Sequence, residues 1–160
     1  MQDGRVTAVA ERLETIGAKL EEALADLRDL ARGIHPAVLT ERGLPAALET
    51  LALRSLVPVE IEQAPKERFN AQVEATVYCV VAEALTNVAK YAEARVASVR
   101  VIRRDSQLVA EVEDDGIGGA DATNGSGLRG LSDRVEALDG ELIIESPRGG
   151  PTILRARIPV

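Results

Sequence analysis

A single cysteine, a shortage of positive charge and the lack of any long apolar run each narrow the field before a motif is considered. Cys79 stands in the apolar stretch Val77-Tyr78-Cys79-Val80-Val81, where a small buried hydrophobe in a reducing compartment is expected rather than a catalytic thiol. Lys and Arg number 19 against 26 Asp and Glu, leaving a net charge of -7. That balance argues against nucleic acid as a partner, because such affinity rests on cations neutralising phosphates. A phosphate-bearing ligand would have to be held locally. No apolar stretch approaches the roughly 20 residues of a bilayer-spanning helix. The opening Met1-Gln2-Asp3-Gly4 has no signal-peptide character, so a cytoplasmic segment without membrane contact is expected.

What is present is the balance of a globular protein: 160 residues, 46% apolar and 28% charged, enough for one domain with a core plus an appended element. Residues 5–34 carry a strict seven-residue apolar repeat, with Val6, Leu13, Leu20, Leu27 and Ile34 in one register and Val9, Ile16, Ala23 and Leu30 in the other. Such a seam suits a helix packed along a partner helix, in a bundle or a homodimer, more than a lone amphipathic helix folded back on its own domain. His35-Pro36 ends it, since the residue before proline is pushed out of the α region.

A loop is expected next, then a short helix from Gly43 to about Ser55 through Leu44, Leu48 and Leu51, and a strand over 57–61. Asn70 is placed to cap a long helix reaching Tyr91, with Val73, Val77, Val80, Val81, Leu85 and Val88 on its apolar face. Residues 95–104 and 107–114 alternate as the strands of a hairpin about Asp105-Ser106, and the glycine-rich 115–126 reads as a mobile surface loop. A helix over about 127–138 and strands at 141–145 and 152–159 complete an α+β two-layer sandwich, with helices on one side of a mixed, mostly antiparallel sheet.

Three local signals point to a nucleotide. Glu83, Asn87 and Lys90 fall at i, i+4 and i+7 of the long helix, so a carboxylate, an amide and an ammonium share a face. Hard oxygen ligands of this kind suit Mg²⁺ completed by phosphates, though a solvated stripe with a surface salt bridge has the same spacing. Asp114-Asp115-Gly116-Ile117-Gly118-Gly119 lies where a strand runs out. A carboxylate there can accept from an exocyclic amine such as adenine's, while an acidic glycine-rich turn is the plainer reading. Gly125-Ser126-Gly127-Leu128-Arg129-Gly130-Leu131 opens a helix, a geometry whose free amides suit phosphate, with Arg129 able to add charge; Ser126 as an ordinary N-cap is the alternative.

Together, in this order and spacing, residues 70–160 resemble the ATP-binding domain shared by histidine kinases, type II topoisomerases, heat-shock chaperones and mismatch-repair ATPases, the Bergerat fold. Glu83 to Lys90 is similar to its N box, Asp114 to Gly118 to its Asp-x-Gly-x-Gly box, and Gly125 to Leu128 to its Gly-x-Gly-Leu box. The phrases Glu83-Ala84-Leu85-Thr86-Asn87-Val88 and Gly127-Leu128-Arg129-Gly130-Leu131-Ser132-Asp133-Arg134 resemble sensor histidine kinases of the nitrate-sensor and DesK-like subfamily. So does the junction Leu27-Arg28-Asp29-Leu30 through His35-Pro36 to Gly43-Leu44-Pro45-Ala46-Ala47-Leu48.

The resemblance implies a division into 1–42, the remnant of a second dimerisation helix with its linker, and 43–160, the catalytic domain. It further implies that Asp114 receives the adenine amino group, that Asn87 ligates Mg²⁺, and that Glu83 orients a metal-bound water or aids proton removal. Lys90 would contact phosphate, Gly116 and Gly118 would shape the adenine side, and the backbone at Gly125, Gly127 and Leu128 would face the phosphates. Tyr91 departs from the histidine frequent at that position in the subfamily. The implied partners are ATP, a phosphoacceptor helix of the same kinase and a response regulator. His35 does not resemble the acceptor, because Pro36 makes it a helix-terminating residue and no acidic residue follows it. A chain of this kind is expected to bind nucleotide without phosphorylating itself. The seam at 5–34 separates that reading from a serine-kinase switch of the anti-sigma-factor type, which would not need it, and nucleotide binding separates it from a degenerate domain that only dimerises.

Overall fold

A computed structural model of the protein describes residues 36–120 and 126–160; the heptad seam, His35 and Gly125 lie outside the described residues. The elements are α1 (Ala37–Arg54), β1 (Val59–Gln63), α2 (Ala71–Asn87) continued by a π-helical turn (Val88–Ala92), β2 (Ala97–Arg104), β3 (Gln107–Asp114), α3 (Ser126–Glu136), β4 (Glu141–Glu145) and β5 (Thr152–Pro159). The strands form one sheet in the order β1-β2-β3-β5-β4, in which β1 pairs with β2 parallel and the remaining pairs are antiparallel. This is the expected two-layer α+β sandwich.

Strand parity decides which side chains meet the helices. Ala97, Val99 and Val101 of β2, Leu108, Ala110 and Val112 of β3, and Leu154, Ala156 and Ile158 of β5 are all buried, with polar residues between them facing out. α2 lays Val73, Val77, Val80, Val81 and Leu85 on that face, and Leu44, Ala47 and Leu48 of α1 and Leu131 and Val135 of α3 complete the core. The outward face is a polar ladder. Glu111 sits between Arg100 and Arg155, accepting from Arg155 Nε at 2.6 Å and pairing with the Arg100 guanidinium, and Arg157 reaches Glu141 at 3.5 Å. Burial works to raise the Glu111 carboxyl, but the two guanidiniums prevail and hold it below the ordinary carboxylate range.

Asn70 caps α2 as expected, its side chain accepting from Gln72 N at 2.9 Å. One departure from the sequence expectation lies at the other helix. The loop anticipated after Pro36 is helical: α1 starts at Ala37 and buries Leu39, and its two parts meet at Gly43, whose φ of 78° breaks the helical path. Arg68 braces this kink from outside the helix. Its Nη2 donates to the carbonyls of Leu39 (3.4 Å) and Thr40 (3.3 Å), while Nε and Nη2 each reach the buried Glu74 carboxylate at 2.9 Å. Those carbonyls end an interrupted helix and have lost their next-turn amides, which is why a guanidinium suits them. β1 is displaced to 59–63 from the expected 57–61, and α3 ends at Glu136, its last turn closing through Gly140 N to Val135 O at 3.0 Å.

Candidate functional site

Asp114 follows Leu108, Ala110 and Val112 on the inward parity of β3, so the strand carries a carboxylate to the rim of an apolar layer, where 4% of the residue is exposed. It accepts from Gly116 N at 2.8 Å and from the backbone of Thr152, its register partner on β5. Burial pushes its carboxyl above the ordinary aspartate value, helped by the neighbouring Asp115 and only partly offset by those amides. Asp115 is the opposite case. It points outward, accepts from the amides of Arg95 (2.7 Å) and Val96 (3.0 Å), and is thereby held below the ordinary range. Two adjacent aspartates are thus divided, one clasping the β2 entry and one left buried at the strand end.

The strand exit and the end of α2 are strapped together. Ile117 N donates to Ala92 O at 2.9 Å, and a Cβ on Gly116 would strike that same carbonyl oxygen. Only glycine allows the approach. One turn apart on α2, Glu83 is buried and Asn87 half-buried. A Cβ on Gly127 would strike Oε1 of Glu83, so the first turn of α3 lies directly against that carboxylate. A helix N-terminus favours negative charge at such a place. α2 is therefore the common wall: its middle meets the start of α3, and its end meets the run-out of β3. Leu128 is half-buried against the core and Arg129 is exposed.

Lys90 lies beyond the α-helical part of α2. The chain leaves α geometry at Val88, and a π turn rotates each residue by less than the about 100° of an α-helix, so the i+7 alignment with Glu83 is not kept. Lys90 is exposed in that turn, and Tyr91 is 71% exposed beside it. Gly118 has φ 63° and is backed by the carbonyls of Pro147 and Gly150 at the β4–β5 turn. That turn is a participant the sequence reading passed over. Gly149 N donates to Ile117 O at 2.7 Å, Gly119 N to Ser146 O at 3.1 Å, and Ala120 N to Ser146 Oγ at 2.9 Å, and Ser146 Oγ lies 2.8 Å from Thr152 Oγ1. No spacing rule marks a serine and a threonine on either side of a turn as neighbours of Asp114; only the β3–β5 and β4–β5 pairings do.

A concavity of about 440 Å³, lined by Phe69, Asn70, Val73, Arg103, Leu138 and Pro159 among others, lies at the opposite end of α2 and includes none of these residues. Among the described residues no group of three or more His, Cys, Asp or Glu could hold a metal ion. Any cation at Asn87 would therefore need most of its ligands from outside this set.

No family model matches the chain. It is 31% identical over 160 residues to the oxygen sensor histidine kinase NreB of Staphylococcus carnosus, a match covering 94% of this chain and 45% of that protein. The chain thus spans less than half the length of the curated relative it matches. The histidine kinase domain of a blue-light activated histidine kinase from Erythrobacter litoralis superposes with a TM-score of 0.60 at 26% identity, over 74% of this chain and 58% of that one. The Acinetobacter baumannii histidine kinase AdeS, at 17% identity, shares the fold with a TM-score of 0.59 over 99% of this chain and 85% of its own.

Proposed function

We propose that this chain, similar as it is to sensor histidine kinases, holds a catalytic ATPase-type domain of their nitrate-sensor type, and that it binds Mg-ATP and presents the γ-phosphoryl to a histidine on a separate dimerisation helix. The observation that supports the reading best is the buried Asp114 carboxylate at a strand exit, next to a glycine whose missing Cβ admits the Ala92 carbonyl. A buried acceptor that takes two backbone amides among the described residues retains lone pairs for an exocyclic amine. On this reading Asp114 selects adenine, with Gly116 and Gly118 shaping that side. Gly125, Gly127 and Leu128 turn amides to the phosphates, and Arg129 and Lys90, both exposed, add charge from the rim.

Asn87 would supply an amide oxygen to Mg²⁺, and the bound cation would supply charge neutralisation for phosphoryl transfer. Glu83, held against the start of α3, orients water or accepts the proton released by the acceptor imidazole. In the transfer the bond from the γ-phosphorus to the bridging oxygen of ADP breaks, a phosphorus–nitrogen bond forms, and the imidazole N–H proton leaves. Little else is asked of the protein than position and charge. Residues 1–42 are read as the remnant of the second dimerisation helix and linker, able to pair two copies through 5–34, and 43–160 as the catalytic domain. The phosphoryl group would pass onward to a response regulator, in the cytoplasm.

Titration of the chain with a fluorescent ATP analogue tests this. Binding is expected to require Asp114 and to be strengthened by Mg²⁺, with the Mg²⁺ increment lost in Asn87→Ala. Incubation with γ-labelled ATP is expected to leave the chain unlabelled. An Asn87→Ala variant that keeps the full Mg²⁺ increment would remove the metal assignment.

A further inference from the structure

The β4–β5 turn is linked to Asp114 by a continuous run of hydrogen bonds. Asp114 takes a backbone bond from Thr152, whose side-chain hydroxyl Oγ1 lies 2.8 Å from Ser146 Oγ. Ser146 Oγ in turn accepts from Ala120 N at 2.9 Å, and Ser146 O accepts from Gly119 N at 3.1 Å. One residue thus takes two successive amides of the glycine-rich run with its backbone and its side chain, while its hydroxyl touches the strand that backs the buried carboxylate. Gly118 and Gly119 have φ values of 63° and 80°, so this stretch has no regular structure to hold its own shape. A short backbone run with two left-handed residues has many conformations available unless something outside it fixes them.

We propose that Ser146 is a positioning residue of the nucleotide site: it fixes the backbone of Gly118 to Ala120 relative to Asp114, so that the adenine acceptor and the glycine run keep one spacing. The inference rests on Asp114 being the adenine acceptor. Ser146 acts through its neighbours and touches no nucleotide itself. A hydroxyl suits the task because it can accept from Ala120 and still share a hydrogen with Thr152, which alanine cannot do and threonine can. Fixing the run before binding spares the ordering cost at the moment of binding, and affinity rises by that amount.

The test uses the whole chain with Ser146→Ala, Ser146→Thr, Thr152→Val and Asp114→Asn, each checked for folding by circular dichroism and thermal melting. Ser146→Ala is expected to bind the fluorescent ATP analogue roughly 3- to 10-fold more weakly, the scale of one hydrogen bond. Ser146→Thr is expected to restore most of the affinity. Thr152→Val, which keeps shape and removes the hydroxyl partner, is expected to repeat the loss and covers the case in which Ser146→Ala does not fold. Hydrogen exchange at Gly119 and Ala120 is expected to speed up in both, and the preference for ADP over GDP in competition is expected to shrink.

Unchanged affinity in Ser146→Ala and Thr152→Val, with binding weakened in Asp114→Asn, would overturn the positioning role and leave the adenine assignment standing. Faster exchange with unchanged affinity and unchanged ADP preference would make Ser146 a structural residue only, and would equally overturn it. Asp114→Asn binding as tightly as the parent would overturn the adenine assignment itself.

Discussion

At the scale of single residues, the proposed reading sets folding against binding at Asp114. Its carboxyl is raised by burial, which means that the folded state holds the ionised form at a cost. That cost is fully present above the folded value and disappears below the ordinary aspartate value of 3.8, where the group is protonated in both states. Asp114→Asn removes the charge, so at neutral pH the nucleotide-free variant is expected to melt at the same temperature as the parent or above it. Nucleotide affinity is expected to fall roughly 10- to 100-fold, because a hydrogen bond to a charged acceptor is lost. A paired melting curve and titration would check both signs; a large drop in melting temperature would contradict the burial argument. The residue itself was legible in the sequence, since an aspartate ending an alternating strand and followed by glycines is a local pattern. Its burial was legible too, by counting parity from Leu108. Ser146 and Thr152 were not, because what brings them to Asp114 is a pairing between distant strands.

At the scale of elements, two ion-pair arrangements make different predictions. Glu74 is 2% exposed and accepts from Arg68 Nε, Arg68 Nη2 and Phe69 N, while Arg68 is half exposed and also holds the carbonyls before the kink at Gly43. Glu74→Ala is expected to cost about 1–3 kcal/mol in urea denaturation, discounted for the solvent around Arg68. It is also expected to speed amide exchange at Leu39 and Thr40, whose N–H groups bond to Pro36 O. On the outer sheet face, Glu111 is held below the ordinary range by Arg100 and Arg155. Its stabilising contribution is present above the unfolded value, near 4.5, and is lost as pH falls through the lower folded value. Glu111→Gln is expected to lower stability by about 1 kcal/mol at pH 7, the gap closing as pH is taken below 4. Unfolding curves across that range would show it. The elements were readable where their signal is local: the Asn70 cap, the hairpin at 104–107 and the strand at 152–159 all stand as expected. The first turns of α1 were not. Proline at the residue before a helix, with a glycine break seven residues on, reads locally as loop, while Leu39 packing into the core and Arg68 on the carbonyls support the helix. The π turn at Val88–Ala92 is of the same kind. It is stabilised by the strap to Ile117, a contact no period of 3.6 can foresee.

At the scale of the whole molecule, the expected fold rests on patterning that survives without large aromatic side chains. The core is built from Val, Leu, Ile and Ala, with Leu108, Ala110, Ala156 and Ile158 fully buried in the middle strands. Small side chains leave little slack, so Leu108→Ala is expected to cost about 2–5 kcal/mol in chemical denaturation. A value under 1 kcal/mol would mean that the sheet and helix layers close up around the gap.

β5 is last in chain order yet lies inside the sheet, hydrogen-bonded to β3 on one side and β4 on the other. During synthesis, then, β3 has no neighbour on that side until β5 has left the ribosome, and Asp114 has no Thr152 beside it. A copy cut short before β5 would present an open edge along β3. On the proposed reading, nucleotide capture therefore waits on the arrival of β5.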